Sequence, residues 1–316
     1  MAGKKGTDVA IVASARLILT SNLKSMNLKN AQDQAIKAAL SAGKLMRKNL
    51  ATVKRAHAVT QHDIKLELDV RCQDLIERTL HAAFPDVDFL GEEGVAKDNE
   101  AGFRWVVDPI DGTVNYAYGL PHACVSIALQ GRVDVAPHNA RRNGSINQAR
   151  TRSADGASPI YPDGYQTLMG VVYDPFRDEL WRAMLDKPAT LNGKPIRVSK
   201  RRTLKESMVT MGLSKTPEHL KQTLPVLGQI ASRVRKVRIL GAAALDLAYV
   251  ATGRFDAFME RGIRLWDIAA GGLIVQCAGG HFFREPIPGD HAYRMIASNG
   301  FLYRELRLLG RKSHFN

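Results

Sequence analysis

Apolar residues recur at helical spacing from Asn30 to about Leu50, placing Ile36, Leu40, Gly43 and Met46 on one face. A second helical stripe gathers Leu68, Cys72, Leu75, Ile76, Leu80 and Ala83, and Pro85 stops it. The period then shortens. Val87–Leu90, Trp105–Val107 and Cys124–Leu129 are short apolar runs of the length buried strands take. Gly170–Tyr173 and Glu179–Met184 can pair with each other, and Leu191–Val198, turning at Asn192-Gly193, reads as a hairpin end. In the second half, strands are predicted at Ser207–Met211, Val237–Leu240, Phe255–Glu260, His281–Arg284 and Arg294–Ala297. Between and after them the pattern predicts helices over Pro217–Val234, Ala242–Thr252, Asp267–Ala278 and Gly300–Leu309. Gly253 and Gly279-Gly280 close two of these helices. The sum is mixed α and β with many antiparallel strands and no internal repeat.

Two stretches break the pattern. Residues 1–27 mix short apolar runs with Lys4, Lys5, Arg16 and Lys24, lack the long apolar core of a signal peptide, and predict a flexible tail. From 132 to 166 the chain turns to Asn, Arg, Ser, Gly, Pro and Asp, which predicts a disordered insertion. The remainder, 28–316, is long enough for one large folded unit with two halves, about 28–200 and 201–316. No apolar run approaches the roughly 18 residues that span a bilayer, so no membrane association is expected. Cys72, Cys124 and Cys277 are scattered in apolar contexts and form neither a disulfide framework nor a zinc pattern, which points to a reducing compartment, the cytoplasm.

Charge adds one question. The net charge of +14 invites a nucleic-acid partner. Its excess is spread over the N-terminus, Arg197–Arg202, Arg233–Arg238 and Arg304–Lys312, without the interleaved aromatics of a base-stacking surface. The expectation is a positive field that draws in a small anionic substrate, not a dedicated nucleic-acid-binding protein.

The chemistry concentrates at 105–115, Trp-Val-Val-Asp-Pro-Ile-Asp-Gly-Thr-Val-Asn. A strand ends at Asp108, turns through Pro109 and Gly112, and offers a second carboxylate at Asp111 and a hydroxyl at Thr113. Carboxylates hold hard divalent cations, and a helix opening at Gly112-Thr113 would present backbone N–H groups to phosphate. Asp69, Glu92-Glu93 and Asp267 also stand at or just beyond the ends of apolar elements. Plainer roles exist for each: Asp69 and Asp267 can cap helices, and Glu93 can be a solvated neighbour. His57, His62 and His122 show no ligand spacing.

Gly-Glu-Glu at 91–93, Asp-Pro-Ile-Asp-Gly-Thr at 108–113 and Trp-Asp-Ile-Ala-Ala-Gly at 266–271 resemble, in order, the signatures of the inositol monophosphatase family. Gly-Val-Val-Tyr-Asp-Pro at 170–175 and Asn-Gly-Lys-Pro-Ile at 192–196 fit as well. The resemblance runs from about residue 30 to 310, leaving out the tail and the insertion. It implies an α/β layered sandwich, α-β-α-β-α, and Mg²⁺-dependent, Li⁺-sensitive hydrolysis of a small polyol phosphate with two or three ions per site. By resemblance, Glu92, Asp108 and the carbonyl of Ile110 hold one metal, and Asp108, Asp111 and Asp267 a second. Glu92 also shares a third ion, and Asp69 is reached through metal-bound water. Gly112 and Thr113 hold the phosphate, Thr113 and Glu92 orient the attacking water, and Ala243 and Glu260 face the substrate alcohol. Histidinol phosphate, fructose 1,6-bisphosphate and adenosine bisphosphate are substrates of the same framework, and an idle relative binding RNA or protein is the non-enzymatic alternative. Relatives are often homodimers. The chain departs from the pattern at Lys65-Leu66-Glu67-Leu68-Asp69, where many relatives have Val-Thr-x-x-Asp, and Lys54 and Lys65 are imperfect matches for a mobile-loop lysine.

Overall fold

The computed structural model describes residues 26–52, 56–59, 64–94, 102–133, 159–213 and 216–312. The expected tail up to residue 25, the stretch 134–158 of the expected insertion, and Lys54 lie outside these residues.

Helix α1 (Leu28–Asn49) starts where the Asn27 side chain accepts the amide of Asn30 at 3.0 Å. Its buried face is built from Ala31, Ala35, Ala38, Ala39, Ala42 and Gly43. Leu40, which the periodicity puts on the core face, is 40% exposed. The reason is steric. A Cβ at Gly43 would stand 2.5 Å from the Tyr173 ring, so only a stripe of small residues lets the helix lie this close to the sheet. Helix α2 (Glu67–Ala83) buries Leu68, Cys72, Ile76 and Leu80, as its stripe predicts. A short hairpin, β1 (Ala56–Val59) with β2 (Ile64–Leu66), precedes it and was not signalled by alternation.

The first sheet has seven strands in sequential order. They are β3 (Asp88–Gly91), β4 (Phe103–Asp111), β5 (Cys124–Arg132), β6 (Tyr165–Asp174), β7 (Glu179–Met184), β8 (Thr190–Leu191) and β9 (Lys194–Pro195). Only β3 and β4 run parallel; the other pairs are antiparallel. Both faces are covered, so the strands read as continuous apolar runs. Val125, Ile127 and Leu129 of β5 point to the α1–α2 side, and Cys124 and Ala128 to the other. β5 and β6 stay paired out to Arg132↔Tyr165, and Ile160 bridges to Gln166. The edges of the expected insertion are therefore strand; their polar composition hid it.

The second sheet has five strands in the order β11 (Lys236–Arg238), β10 (Met208–Met211), β12 (Ala257–Arg264), β14 (Ala292–Ser298), β13 (His281–Pro286). The first three run parallel, the last two antiparallel to their neighbours. Helices α5 (Ala243–Ala251) and α6 (Leu265–Cys277) are packed between the sheets. Helices α4 (Pro217–Ala231) and α7 (Tyr303–Lys312) cover the outer face of the second sheet. The layers are thus α1–α2, first sheet, α5–α6, second sheet, α4–α7. This is the α-β-α-β-α sandwich of an α/β protein. Glycines permit the central layer: a Cβ on Gly170 would sit 2.8 Å from the Cα and carbonyl oxygen of Ala270, and one on Gly271 would sit 2.7 Å from Leu247. Cys72, Cys124 and Cys277 are free thiols, and no described helix is long and apolar enough to cross a membrane.

Candidate active site

In a regular strand, residues three apart point to opposite faces. Asp108 and Asp111 escape that rule because β4 carries a bulge. Asp108 pairs with Ser126 and Asp111 with Cys124, so three steps on β4 match two on β5. The extra residue turns both carboxylates toward the central helical layer. Asp108 secures the turn by accepting the Ile110 amide at 3.0 Å. Gly112 then takes φ +88°, where a Cβ would lie 2.9 Å from the His122 carbonyl oxygen, and α3 (Thr113–Ala117) begins. The Thr113 hydroxyl donates to the Ile110 carbonyl at 2.8 Å.

The far half of the chain supplies the opposite wall. Asp267, in the first turn of α6, accepts the Arg264 amide at 2.9 Å, so it does cap its helix. It also joins the acids of β4: one carboxylate oxygen from each of Asp108, Asp111 and Asp267 lies within 4.8 Å of the others. Ser126 of β5 donates to the Trp266 carbonyl at 3.2 Å, which fixes the start of α6 against the first sheet. Asp111 reaches α5, accepting the amides of Ala243 at 3.0 Å and Ala244 at 2.8 Å, with the Cys124 thiol at 3.5 Å. Ala243 thus gives its amide to Asp111.

Crowding of like charge in a dry place sets the electrostatics. Burial first, then Glu92, Asp111 and Asp267, holds the Asp108 carboxyl well above the usual range. Asp111 is pushed up to about 7, by burial and then by Asp267, against the pull of the two amides. Burial, and next Asp111, raises the Cys124 thiol, which keeps it neutral and unreactive. Glu92 therefore stands close enough to Asp108 to act on it, and its amide is tied to the Val107 carbonyl at 3.1 Å.

Three expected acids, Asp108, Asp111 and Asp267, converge, and the charge of a fourth, Glu92, acts on Asp108. Asp69 is buried and accepts the Leu66 amide at 2.7 Å as the cap of α2. Its charge acts on Cys72 and Tyr116. Glu260 of β12 is half-buried, its carboxylate lying against Gly212. Two positioning residues carry no signal in the sequence. Gln73 brackets the backbone of Glu93, accepting its amide at 2.9 Å and donating to its carbonyl, and so sets the turn that presents Glu92. The Asn115 amide group reaches the carbonyls of Leu240 at 2.8 Å, His122 at 3.0 Å and Gly241 at 3.3 Å, lashing α3 to the segment before α5.

The sequence pattern of the inositol monophosphatase family matches residues 27–135 and 163–299. The chain belongs to that family. The break in the match falls within the expected insertion. Inositol monophosphatase 1 of Solanum lycopersicum is 35% identical over 256 residues, covering 79% of this chain and 82% of the relative. A protein named Nus factor SuhB from Xylella fastidiosa is also 35% identical over 256 residues, covering 80% and 81%. The inositol monophosphatase of Anabaena superposes with a TM-score of 0.71 at 30% identity, over 91% of this chain and 98% of that one. The suhB extragenic suppressor protein of Bartonella henselae gives 0.74 at 29% identity, over 90% and 99%. The chain is thus similar to proteins under both names.

Proposed function

We propose that this protein is a Mg²⁺-dependent phosphomonoesterase acting on a small polyol phosphate, inositol monophosphate first. The observation that carries the proposal is the convergence of Asp108, Asp111 and Asp267 at a bulge at the end of β4, with the charge of Glu92 acting on Asp108. An all-oxygen donor set suits a hard divalent cation. So does the raised affinity of Asp108 and Asp111 for protons, since a bound cation would relieve the same repulsion.

Glu92, Asp108 and the Ile110 carbonyl would hold one ion, Asp108, Asp111 and Asp267 a second, with Glu92 sharing a third. Such ions neutralise the phosphate, acidify water and stabilise the leaving oxygen. The protein supplies position. Thr113, its proton committed to Ile110, turns lone pairs outward to accept a hydrogen bond from the attacking water, and Glu92 orients the same water. The amides of Gly112 and Thr113 receive phosphate oxygens. Asp69 acts at longer range, through water. Glu260 accepts hydroxyl protons of the polyol beside the 241–243 segment. The reaction forms one bond from water oxygen to phosphorus and breaks the phosphorus–alkoxide bond, with no phosphorylated residue.

A panel of phosphomonoesters with Mg²⁺, with and without Li⁺, tests the substrate. Inositol monophosphate is expected to have the highest kcat/KM and to be inhibited by Li⁺. Equal turnover of inositol phosphate, glycerol phosphate and nucleotides, or a preference for histidinol phosphate or fructose 1,6-bisphosphate, would overturn the inositol assignment.

A further inference from the structure

The basic runs that lie apart in the sequence do not stay apart in the fold. The strap 197–206, which connects the two sheets, exposes Arg197, Lys200, Arg201, Arg202 and Lys205 against one exposed acid, Glu206. Its end meets the start of β11: the Arg235 amide donates to Ser207 at 3.0 Å, and Met208 pairs with Lys236. Arg233, Arg235 and Lys236, all exposed, therefore enter beside the strap. The Arg202 guanidinium lies over the Phe301 ring, 4.8 Å from its centroid, which draws in the start of α7 with exposed Arg304.

An open groove of about 810 Å³ runs between the strap and the C-terminal end of α5. Arg201 is already committed, donating to Asp256 at 2.9 Å and toward the Gly253 carbonyl, so the helix end and the buried acid are neutralised from within. Arg233 likewise donates to the Gln229 carbonyl at 2.6 Å, and Arg202 is stacked on Phe301, whereas Arg197, Lys200 and Lys236 are exposed to solvent-side partners. A band of guanidinium and ammonium groups suits a chain of phosphates. Phe301 is half exposed, and with the Arg202 guanidinium over its ring it forms a flat pair against which a base can stack.

We infer that this end of the second sheet is a docking surface for single-stranded RNA, gripped through its phosphates by Arg197, Lys200 and Lys236 with a base against the Arg202–Phe301 pair. It adjoins the C-terminus of α5, whereas the acid cluster meets the N-terminus of the same helix, about 13 Å away. Docking and turnover are therefore separable.

Polarisation of a labelled RNA of about 20 nucleotides, titrated with the full chain from about 50 to 200 mM salt, reads the surface. For three to five phosphates engaged, log K should fall against log salt with a slope of about −2 to −4. Arg197→Glu with Lys200→Glu and Lys236→Glu should weaken binding by tenfold or more, on the order expected for three lost phosphate contacts, and flatten that slope. Phe301→Ala should weaken binding without changing the slope. The same charge reversal on α1, at exposed Lys29, Lys37 and Lys44, should leave binding within about twofold, and phosphate release should be unchanged throughout. The inference is overturned if RNA does not bind at low salt, if both triple variants lose binding alike, or if polyglutamate or anionic vesicles bind this surface in preference to RNA.

Discussion

Replacing Asp111 by Asn should make the metal-free protein more stable while removing its activity. Asp111 is held at about 7 rather than 3.8. At about 1.4 kcal/mol per pH unit, that is about 4 kcal/mol opposing its ionisation in the folded state. The sign follows from proton counting. Between 3.8 and 7 the folded protein holds this proton and the unfolded chain does not, so the contribution to stability falls as pH rises through that window and levels off above it. Asn carries no charge to oppose, but it keeps only one acceptor for the amides of Ala243 and Ala244, a loss of about 1–3 kcal/mol. The variant should therefore exceed the parent by about 1–3 kcal/mol at pH 8 in EDTA and fall below it near pH 4. Urea unfolding of both proteins across that range, compared as a difference, isolates the group. Saturating Mg²⁺ should then stabilise the parent by about 2.7 kcal/mol at a hundred times Kd, and the variant far less. A variant that is less stable than the parent at pH 8 in EDTA, or a difference that does not grow with pH, would refute the picture of an acid cluster strained by its own charge.

Other consequences are local. Gly170→Ala sets a Cβ 2.8 Å from the backbone of Ala270, which cannot step aside, and should lower stability by about 1–3 kcal/mol in urea unfolding. Asn115→Ala frees the segment before α5 from α3, and should lower kcat on the order of 10–100-fold with the fold intact by circular dichroism. Gly212→Ala intrudes on the Glu260 carboxylate, and should raise KM for inositol phosphate by about tenfold while sparing a phosphate ester without a polyol.

The order of elements and the acidic set were readable because each rests on local pattern. The α2 stripe, the buried strands and the motif at 108–113 are contiguous in sequence, and so are the paired glycines Gly271-Gly272 in the middle of α6. What stayed hidden depends on partners far along the chain. Leu40 looked like core by its spacing, but the close approach at Gly43 that favours small side chains there is set by Tyr173, far along the chain. Gln73 and Asn115 are polar residues whose roles come from carbonyls and amides 20 and 125 positions away. The bulge that turns Asp108 and Asp111 to one side appears only in the register with β5. The same holds for charge: basic runs scattered along the sequence meet only in the fold, where the strap, β11 and α7 come together.

The central claim is that the Asp108–Asp111–Asp267 cluster, with Glu92, holds metal for phosphate-ester hydrolysis. Phosphate release from inositol monophosphate, followed in EDTA and then with Mg²⁺ restored, tests it most directly in the parent and in Glu92→Gln and Asp111→Asn. The parent should be silent in EDTA and active with Mg²⁺, and both variants should stay silent. Release that persists in EDTA, or survives the loss of Asp111, or never occurs from any small phosphate ester with Mg²⁺, would contradict the account.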